Sequence, residues 1–401
     1  MTDTPTSARP LIPLRAGSIR IVIAMIAVLI VMTAAQIGLP DMLGQPAAFV
    51  DFNVFHLAGQ MALDGSLSAA YHTADFAPIQ AAQPGYTAYM PYTYPPQFNL
   101  LAAGLGLMPT ALAYLAFVGI GYGAWVWVLA RIAPDQFGAA VMLCLPAAVV
   151  TARFGQNGFL SAAVIGAFCL LWLRGRSGAG IPLGVMAYKP HLAVGIAIAA
   201  LGAARWRVIA WAVVVTLAGI IAATSAFGPG IWQDFRDAAG ESGRFLEDGA
   251  YPLFRMTSAY AALRSFGMGA GGAMAVHIGV ALCALGLVGH ALIRRWSGER
   301  MLAVSVMACL AVSPYNYDYD LAIAAVAIAL GAPDLSRFAN AIERAVLIAG
   351  MWLATGWGLL LLSVAQGPKS GLLSLGAIGV IAVFGVIFVV LRRAEGRAPR
   401  T

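Results

Sequence analysis

The sequence predicts an all-α membrane protein that crosses the bilayer many times. Of its 401 residues, 61% are hydrophobic and only 10% are charged. A soluble domain carries roughly a quarter charged residues. Long apolar runs recur from residue 21 onward, and the basic residues fall in small groups between them. Within lipid, runs of this kind are expected to be helices, because a helix satisfies its own backbone polar groups.

The groups of Lys and Arg between the apolar runs indicate which end of each run faces the cytoplasm. Arg9, Arg15 and Arg20 place the N-terminal tail, residues 1–20, in the cytoplasm. Residues 39–95 contain four aspartates but no Lys or Arg, so they are expected outside. About twelve crossings follow from this scheme. They are predicted at 21–38, at a segment ending at Arg131 after a short embedded stretch (96–108), and at 136–152, 156–173, 178–188, 190–204, 206–227, 271–293, 301–313, 319–332, 344–363 and 371–391.

Five later basic groups all fall on the cytoplasmic side of this scheme. Their agreement supports its alternation of inner and outer segments. They are Arg174/Arg176, Arg205/Arg207, Arg294/Arg295/Arg300, Arg337/Arg344 and Arg392/Arg393. Residues 21–393 are therefore predicted to form a single membrane-embedded domain, with 39–95 and 228–270 as its main outer loops. The C-terminal tail, residues 394–401, is expected to be cytoplasmic like the N-terminal one.

The composition argues against several other classes of protein. The net charge of +7 is spread between apolar runs and does not cluster on one soluble face, so a nucleic-acid partner is not indicated. The four cysteines lie within apolar runs and show neither a disulfide pattern nor metal-ligand spacing. The string GMGAGG at 267–272 follows no strand, so a dinucleotide site is not indicated.

Asp51 begins a stretch, residues 51–65, that predicts an amphipathic helix in the first outer loop. The simpler interpretation is that its carboxylate caps this helix, a contribution of about 1 kcal/mol. The functional interpretation is a catalytic base at the boundary between water and membrane. Position alone favours the cap.

Two cations break the positive-inside pattern, because Arg153 and Lys189 lie in turns predicted outside. An unpaired cation at membrane depth is costly, so such residues are often functional. Alternatively, Lys189 pairs structurally with Asp318 or Asp320 in the later motif SPYNYDYD. Those two acids could also bind a cation, but two acids alone are a weak metal signal.

Aromatic and amide side chains accumulate at the same predicted outer face. Tyr92 and Tyr94 precede two prolines that fix an extended entry into the membrane, and they could form a wall for a sugar ring. An interfacial aromatic belt is the simpler interpretation. Gln156 and Asn157 form a polar turn, whose simpler role is to satisfy helix ends. Arg255 and Arg264 belong to the mixed-charge outer loop, where a solvated face is the usual interpretation.

Taken in order, these stretches resemble glycosyltransferase family 87, a family of polytopic GT-C-fold enzymes that includes bacterial α-mannosyltransferases using polyprenyl-phosphate-mannose. The matching stretches are VDFNVFHLAGQMALDG, YTYPPQFNLLAAGLGLMP, GQNGFLSAAVIGAFCLLWLRGRSGAGIPLGVMAYKPHLAV and SPYNYDYDL, within residues 49–320. The resemblance implies that Asp51 is the base and that the YPP, GQ and Lys-bearing segments line the cavity. Many relatives carry a histidine near the end of the SP motif, where this chain has Asn316 to Asp320.

The chemistry of a lipid-phosphate sugar explains the residue types. A carboxylate must accept the proton of the attacking hydroxyl, and Asp51 can do so. Cations must hold the departing phosphate as its charge develops. Aromatic and amide groups must orient the sugar or acceptor. The predicted phosphate-binding residues are Arg153, Lys189, His191, Arg255 and Arg264, and the predicted sugar- or acceptor-binding residues are Tyr92, Tyr94, Gln156, Asn157, Asp318 and Asp320.

The sequence thus predicts an inverting hexosyltransferase of the bacterial inner membrane, with its active site on the outer side. Its partners would be a polyprenyl-phosphate sugar, a lipid or glycan acceptor, and membrane lipids. No cofactor is predicted, and the need for a divalent cation is left open. A transporter or flippase for a lipid-linked or anionic substrate is the chief alternative, and a non-catalytic scaffold is a third.

Overall fold

A computed structural model describes residues 11–13, 16–44, 46–365 and 371–397. The described residues are helical throughout apart from turns and one isolated bridge between Met256 and Tyr317, so the all-α prediction is confirmed for them. The predicted cytoplasmic tails fall partly on residues 1–10, 14–15 and 398–401, which lie outside the described residues.

The helices are numbered here in chain order. The first group contains α1 (Ala16–Gly38), α2 (Pro40–Leu43), α3 (Asp51–Asp64) and α4 (Thr73–Ala81). The second contains α5 (Pro96–Gly106), α6 (Thr110–Tyr114), α7 (Ile120–Ile132), α8 (Phe137–Leu143), α9 (Leu145–Phe154), α10 (Gly158–Leu173), α11 (Gly180–Val185), α12 (Val194–Gly202) and α13 (Trp206–Phe227). The third contains α14 (Ile231–Asp248), α15 (Ala259–Ser265), α16 (Ala270–Ile293), α17 (Gly298–Val312), α18 (Ala324–Phe338), α19 (Ala341–Val364) and α20 (Gly376–Glu395).

Fewer helices have spanning length than the predicted number of crossings. Seven stretches in the described residues are long and apolar enough to cross a membrane, or eight if the pair α8 and α9, bent by 66°, forms one broken span. The seven are Gly17–Gly38, Thr110–Ile132, Trp206–Phe227, Ala270–Ile293, Asp318–Phe338, Ala341–Val364 and Gly376–Glu395. Helices also form at the other predicted crossings, but they are shorter, so the count of twelve stays a prediction.

The centre of the bundle is formed by α17 and α18. Nearly every residue of α17 from Met301 to Ala311, and of α18 from Ala324 to Ala332, is buried. By contrast, α1, α13 and α16 expose most of their apolar side chains, as helices facing lipid do. The central pair therefore sets the position of the 3-10 turn at Asp318–Ile323, which leads directly into α18.

The amphipathic helix predicted at residues 51–65 forms as α3. Its apolar face, with Phe52, Phe55, Ala58 and Met61, is buried in the protein. It packs so closely on α5 that a Cβ at Gly59 would lie 1.9 Å from the Ala102 carbonyl oxygen. Only glycine permits that approach, which brings the middle of α3 into direct contact with the backbone of α5.

Candidate active site

Asp51 is the first residue of α3, but it does not cap the helix. The preceding Val50 holds the N-cap position in extended conformation, and its amide donates to Asn53 Oδ1 at 2.9 Å. The Asp51 carboxylate instead accepts a hydrogen bond of 2.7 Å from Gln156 Nε2. Because Asp51 lies in the first turn, its negative charge interacts favourably with the positive end of the helix dipole. The structure thus points this carboxylate away from its own backbone and toward another segment.

A left-handed turn brings Gln156 to Asp51. Gly155 has φ 68° at the end of α9, a conformation that glycine adopts without strain. A Cβ there would lie 2.4 Å from the Phe52 Cβ, so the turn fits only because residue 155 lacks a side chain. Asn157, which follows Gln156, donates to the Tyr94 hydroxyl at 2.7 Å. The polar turn therefore contacts both the start of α3 and the YPP segment.

Lys189 is buried and paired with Asp320. The two side chains meet at 2.7 Å and are 9% and 2% exposed, so water screens this pair weakly. The ammonium also lies 5.2 Å from the centre of the Tyr319 ring. Of the two acids expected as partners for Lys189, the structure selects Asp320. His191 lies nearby, where the charges of both Lys189 and Asp320 act on its ring.

Arg255 forms a second buried ion pair, with Asp318. Two parallel hydrogen bonds join them, from Nε to Oδ2 at 3.1 Å and from Nη2 to Oδ1 at 3.0 Å. The guanidinium also lies 4.5 Å from the centre of the Phe154 ring. Helix α19 closes over the pair, since a Cβ at Gly358 would be 2.5 Å from Asp318 Oδ2. This pair attaches the segment between α14 and α15 to the SPYNYDYD segment.

Electrostatic interactions connect Asp51 to both ion pairs. Burial by itself would lower the pKa of Arg255, but the carboxylates of Asp318 and Asp51 more than reverse this and raise it. Burial raises the pKa of Tyr94 well above its usual value, and the charges of Asp320 and Asp51 raise it further. Tyr94 therefore stays a neutral phenol that can donate a proton to a hydrogen bond.

Arg153 differs from the other cations in having no partner. It is half-buried near the end of α9, and its Nη1 atom is buried without a hydrogen bond in the part of the chain that the structure describes. No ion pair of Arg153 occurs among those residues. Its charge acts on the Tyr114 hydroxyl, which bonds to the Ala152 carbonyl. A buried donor left unsatisfied is costly, so this arginine is well suited to receive an anionic ligand.

Three of the predicted site residues have other contacts. Arg264 donates to the backbone carbonyls of Glu247 at 2.6 Å and Met268 at 2.9 Å. These bonds connect residues 247, 264 and 268 and do not involve Asp51 or the two buried ion pairs. Asp318 and Asp320 are 0% and 1% exposed, and each is held by a cation rather than presented to a sugar.

Tyr92 is also a framework residue in this structure. It is 1% exposed, and its hydroxyl donates to Asn99 Oδ1 at 2.6 Å. Asn99 donates to the Tyr71 hydroxyl at 2.8 Å, and Tyr71 donates to the Tyr94 carbonyl at 2.7 Å. This buried chain fixes the backbone at Tyr94, the tyrosine that contacts the polar turn.

Sequence reasoning missed two aromatic side chains of the cluster. Tyr317 and Tyr319 stack with ring centres 5.3 Å apart and an angle of 3° between the rings. Arg255 lies 5.9 Å and 5.8 Å from the same two rings. The alternation of Tyr and Asp in SPYNYDYD was the available signal, because it places two aromatic rings beside the two acids.

A metal centre gains no support from the side chains present. Among the residues that the structure describes, no group of three or more His, Cys, Asp or Glu side chains converges as metal ligands do. The acids considered for a cation, Asp318 and Asp320, are already balanced by Arg255 and Lys189.

Comparison with known proteins gives one match. The sequence model of glycosyltransferase family 87 matches residues 92–314, more than half of the chain. The matched range contains the YPP segment, the polar turn, Lys189 and Arg255, but not Asp51, Asp318 or Asp320. No curated protein and no solved structure matches the chain. With the helical membrane fold and this match over most of its length, the chain belongs to glycosyltransferase family 87.

Proposed function

We propose that this glycosyltransferase moves a hexose, mannose by its family resemblance, from a polyprenyl-phosphate donor to a lipid or glycan acceptor. The observation that carries the proposal is the bond from Gln156 to Asp51, within one cluster that also contains Tyr94 and the two buried ion pairs. Arg153 lies three residues before Gln156 in the chain. The cluster gathers a carboxylate, cations and aromatic hydroxyls from six separate parts of the sequence. The reaction needs those three kinds of group together.

Asp51 acts as the base in this proposal. The acceptor hydroxyl oxygen attacks the anomeric carbon, and its proton passes to the Asp51 carboxylate. The bond between that carbon and the phosphate oxygen breaks, and its electron pair leaves with the polyprenyl phosphate. The Gln156 amide supports this role, because its hydrogen bond at 2.7 Å orients the carboxylate without neutralising it.

The ion pairs favour a single displacement, which inverts the anomeric carbon. A retaining double displacement would need a second free carboxylate as nucleophile. Asp318 and Asp320 are both buried in ion pairs, so they are poorly suited to attack a sugar. Asp51 is the carboxylate of the cluster that lacks a cationic partner within 4.0 Å among the described residues.

Arg153 is the best candidate to bind the donor phosphate. Lys189 and Arg255 already share their charge with Asp320 and Asp318, whereas Arg153 has a buried nitrogen without a partner. A phosphate oxygen would satisfy that nitrogen, and the interaction would strengthen as the leaving group gains charge. Lys189, His191 and Arg255 would supply the surrounding positive potential. Tyr94 and Asn157, joined at 2.7 Å, would orient the sugar or acceptor.

The distribution of basic residues supports an active site on the outer side of a bacterial inner membrane. The 57 residues of the first outer loop, 39–95, contain no Lys or Arg. Asp51 lies in that loop, and Gln156 lies at the turn that contacts it. Both chain ends would then be cytoplasmic.

The test uses the purified full chain with radiolabelled polyprenyl-phosphate-mannose and candidate acceptors. Labelled product from the wild type, and none from Asp51→Asn, supports the proposal. Counterflow of the labelled lipid in proteoliposomes without product would instead identify a transporter. Product from Asp51→Asn at the wild-type rate would remove Asp51 from the mechanism.

A further inference from the structure

A second polar site lies at the opposite end of α10 from the candidate active site. Asn157 precedes the helix and Arg174 follows it, and the helix has 16 residues. At ~1.5 Å per residue, the two ends are about 24 Å apart. Around the far end is a cavity of about 450 Å³ lined by Gly175, Ser177 and the segment Ala204–Val208. By the charge distribution of the chain, this is the cytoplasmic end.

Four arginines surround this cavity without an acidic partner. Arg205 and Arg207 line it, and Arg174 and Arg176 flank its Gly175. None of the four forms an ion pair among the described residues. The sequence has no Asp or Glu between Asp135 and Asp234, so local acids do not offset this charge. A cavity with uncompensated arginines fits an anion. One guanidinium can bind two oxygens of a phosphate at once through two parallel hydrogen bonds.

Arg205 is positioned to use its donors on such an anion. Its guanidinium lies 4.4 Å from the centre of the Trp172 ring. Stacking of this kind occupies the face of the guanidinium and leaves its N–H groups at the edge free. Trp206 beside it is 65% exposed, as tryptophans at a membrane interface are. An exposed tryptophan beside the cavity is consistent with a position at the membrane interface.

An apolar groove adjoins the basic cavity. It has a volume of about 360 Å³ and is lined by Ala124, Trp127, Val128, Leu160, Ala163, Val164, Ala167, Leu171, Ile181, Pro182 and Val185. Leu171 of the groove and Gly175 of the cavity are four residues apart, and so are Ser177 of the cavity and Ile181 of the groove. The two are therefore close neighbours along the chain in both segments.

We infer that the cavity and groove together bind an anionic phospholipid of the cytoplasmic leaflet. Its phosphodiester headgroup contacts Arg205 and Arg207, and an acyl chain lies in the groove between α7, α10 and α11. A soluble anion would use only the basic cavity, whereas the adjoining apolar groove matches the second half of a lipid. Basic pockets between helices on the cytoplasmic side characteristically hold anionic headgroups.

The test measures lipid retention by native mass spectrometry on the full chain in detergent. The probes are phosphatidylglycerol, zwitterionic phosphatidylcholine of the same chains, and inorganic phosphate. The wild type is expected to retain phosphatidylglycerol well above the other two. The double variant Arg205→Gln/Arg207→Gln should weaken that affinity roughly 30-fold, since each basic residue contributes about a fivefold factor. Arg294→Gln/Arg295→Gln, in an exposed pair outside the cavity, should retain it unchanged.

A groove-filling variant separates lipid from a free anion. Ala167→Trp should weaken phosphatidylglycerol binding and leave binding of inorganic phosphate unchanged, with circular dichroism confirming the fold. Equal retention of the two lipids by the wild type would overturn the inference, and this comparison needs no variant. So would phosphate binding as strong as that of phosphatidylglycerol, or full retention by Arg205→Gln/Arg207→Gln.

Discussion

The Asp51 carboxylate accepts a hydrogen bond of 2.7 Å from the Gln156 side chain, although the two residues are 105 positions apart. This contact joins the start of α3 to the turn between α9 and α10. No local sequence pattern predicts it, because it depends on how α3 packs against the end of α9. The amide donor orients the carboxylate, whose charge acts on Arg255.

Replacing Asp51 should abolish transfer without loss of the folded protein. Asp51→Asn keeps the shape of the side chain but removes its ability to accept a proton, which should lower kcat by roughly 10²–10⁴-fold. The matched control is Asp64→Asn, at the other end of α3, where the carboxylate bonds only to Ser66. Turnover is measured by product formation. The amount of folded protein is measured by size-exclusion chromatography. Equal loss in both variants would show that disturbing α3, and not removing the base, is responsible.

Gln156→Ala should reduce kcat with little effect on donor KM, because the amide orients the base and does not hold the donor. We expect a loss of roughly tenfold to a hundredfold, since one hydrogen bond to a charged group contributes about 1.5–3 kcal/mol. Gln83→Ala removes a glutamine of the first outer loop, whose amide bonds to the Ile79 carbonyl, and serves as the control. A change in donor KM alone would place Gln156 on the substrate and contradict a positioning role.

Arg153→Gln should weaken donor use more than acceptor use. The variant removes the cation whose nitrogen lacks a partner, so we expect a fall in kcat/KM for the donor of about tenfold or more, from a charged hydrogen bond of roughly 1.5–3 kcal/mol. Arg153→Lys should recover part of it, since the charge remains but the fork geometry does not. Kinetics with the donor and then the acceptor concentration varied distinguish a loss in donor use from a loss in acceptor use. An unchanged donor KM and kcat in Arg153→Gln would exclude this arginine as the phosphate ligand.

The buried pair of Lys189 and Asp320 should show strong coupling in thermal stability. Removing one partner leaves a buried charge and is expected to destabilise the protein by about 3–5 kcal/mol. Lys189→Met and Asp320→Leu should each lower the melting temperature, and the double variant should recover much of the loss. The double variant should recover stability more than activity, because Lys189 no longer contributes to the positive potential around the donor phosphate. Additive losses in the double variant would contradict the pairing. Arg393→Met, at a more exposed pair, should cause a smaller loss.

Transfer should not require an added divalent ion. Asp318 and Asp320 are already balanced by Arg255 and Lys189, so the cluster lacks the excess negative charge that attracts Mg²⁺ or Mn²⁺. Activity after EDTA treatment should match that of the untreated enzyme. A loss on EDTA treatment that Mn²⁺ or Mg²⁺ restores would contradict this and reopen a metal role for the two acids.

Much of the fold could be predicted because its cause is local. Apolar composition predicts membrane helices, and α3 appears at the predicted position because its apolar residues recur with helical spacing. The number of crossings could not be predicted as well. Short apolar runs such as 178–188 and 301–313 are helical, but they are shorter than a bilayer, and α17 is buried inside the protein. Apolar composition alone does not distinguish a helix that faces lipid from one that faces other helices.

The sequence by itself determined the class of protein, the residue types available for chemistry and their order along the chain. It left open whether Asp51 was a helix cap, which acid would pair with Lys189, and whether Asp318 and Tyr92 faced a ligand. Tertiary structure decided these points: Asp51 bonds to Gln156, Lys189 pairs with Asp320, and Asp318 and Tyr92 are buried in contacts of their own. The physical reason is distance along the chain. Helix formation depends on neighbours within a few residues, whereas pairing of buried charges depends on which distant segments pack together.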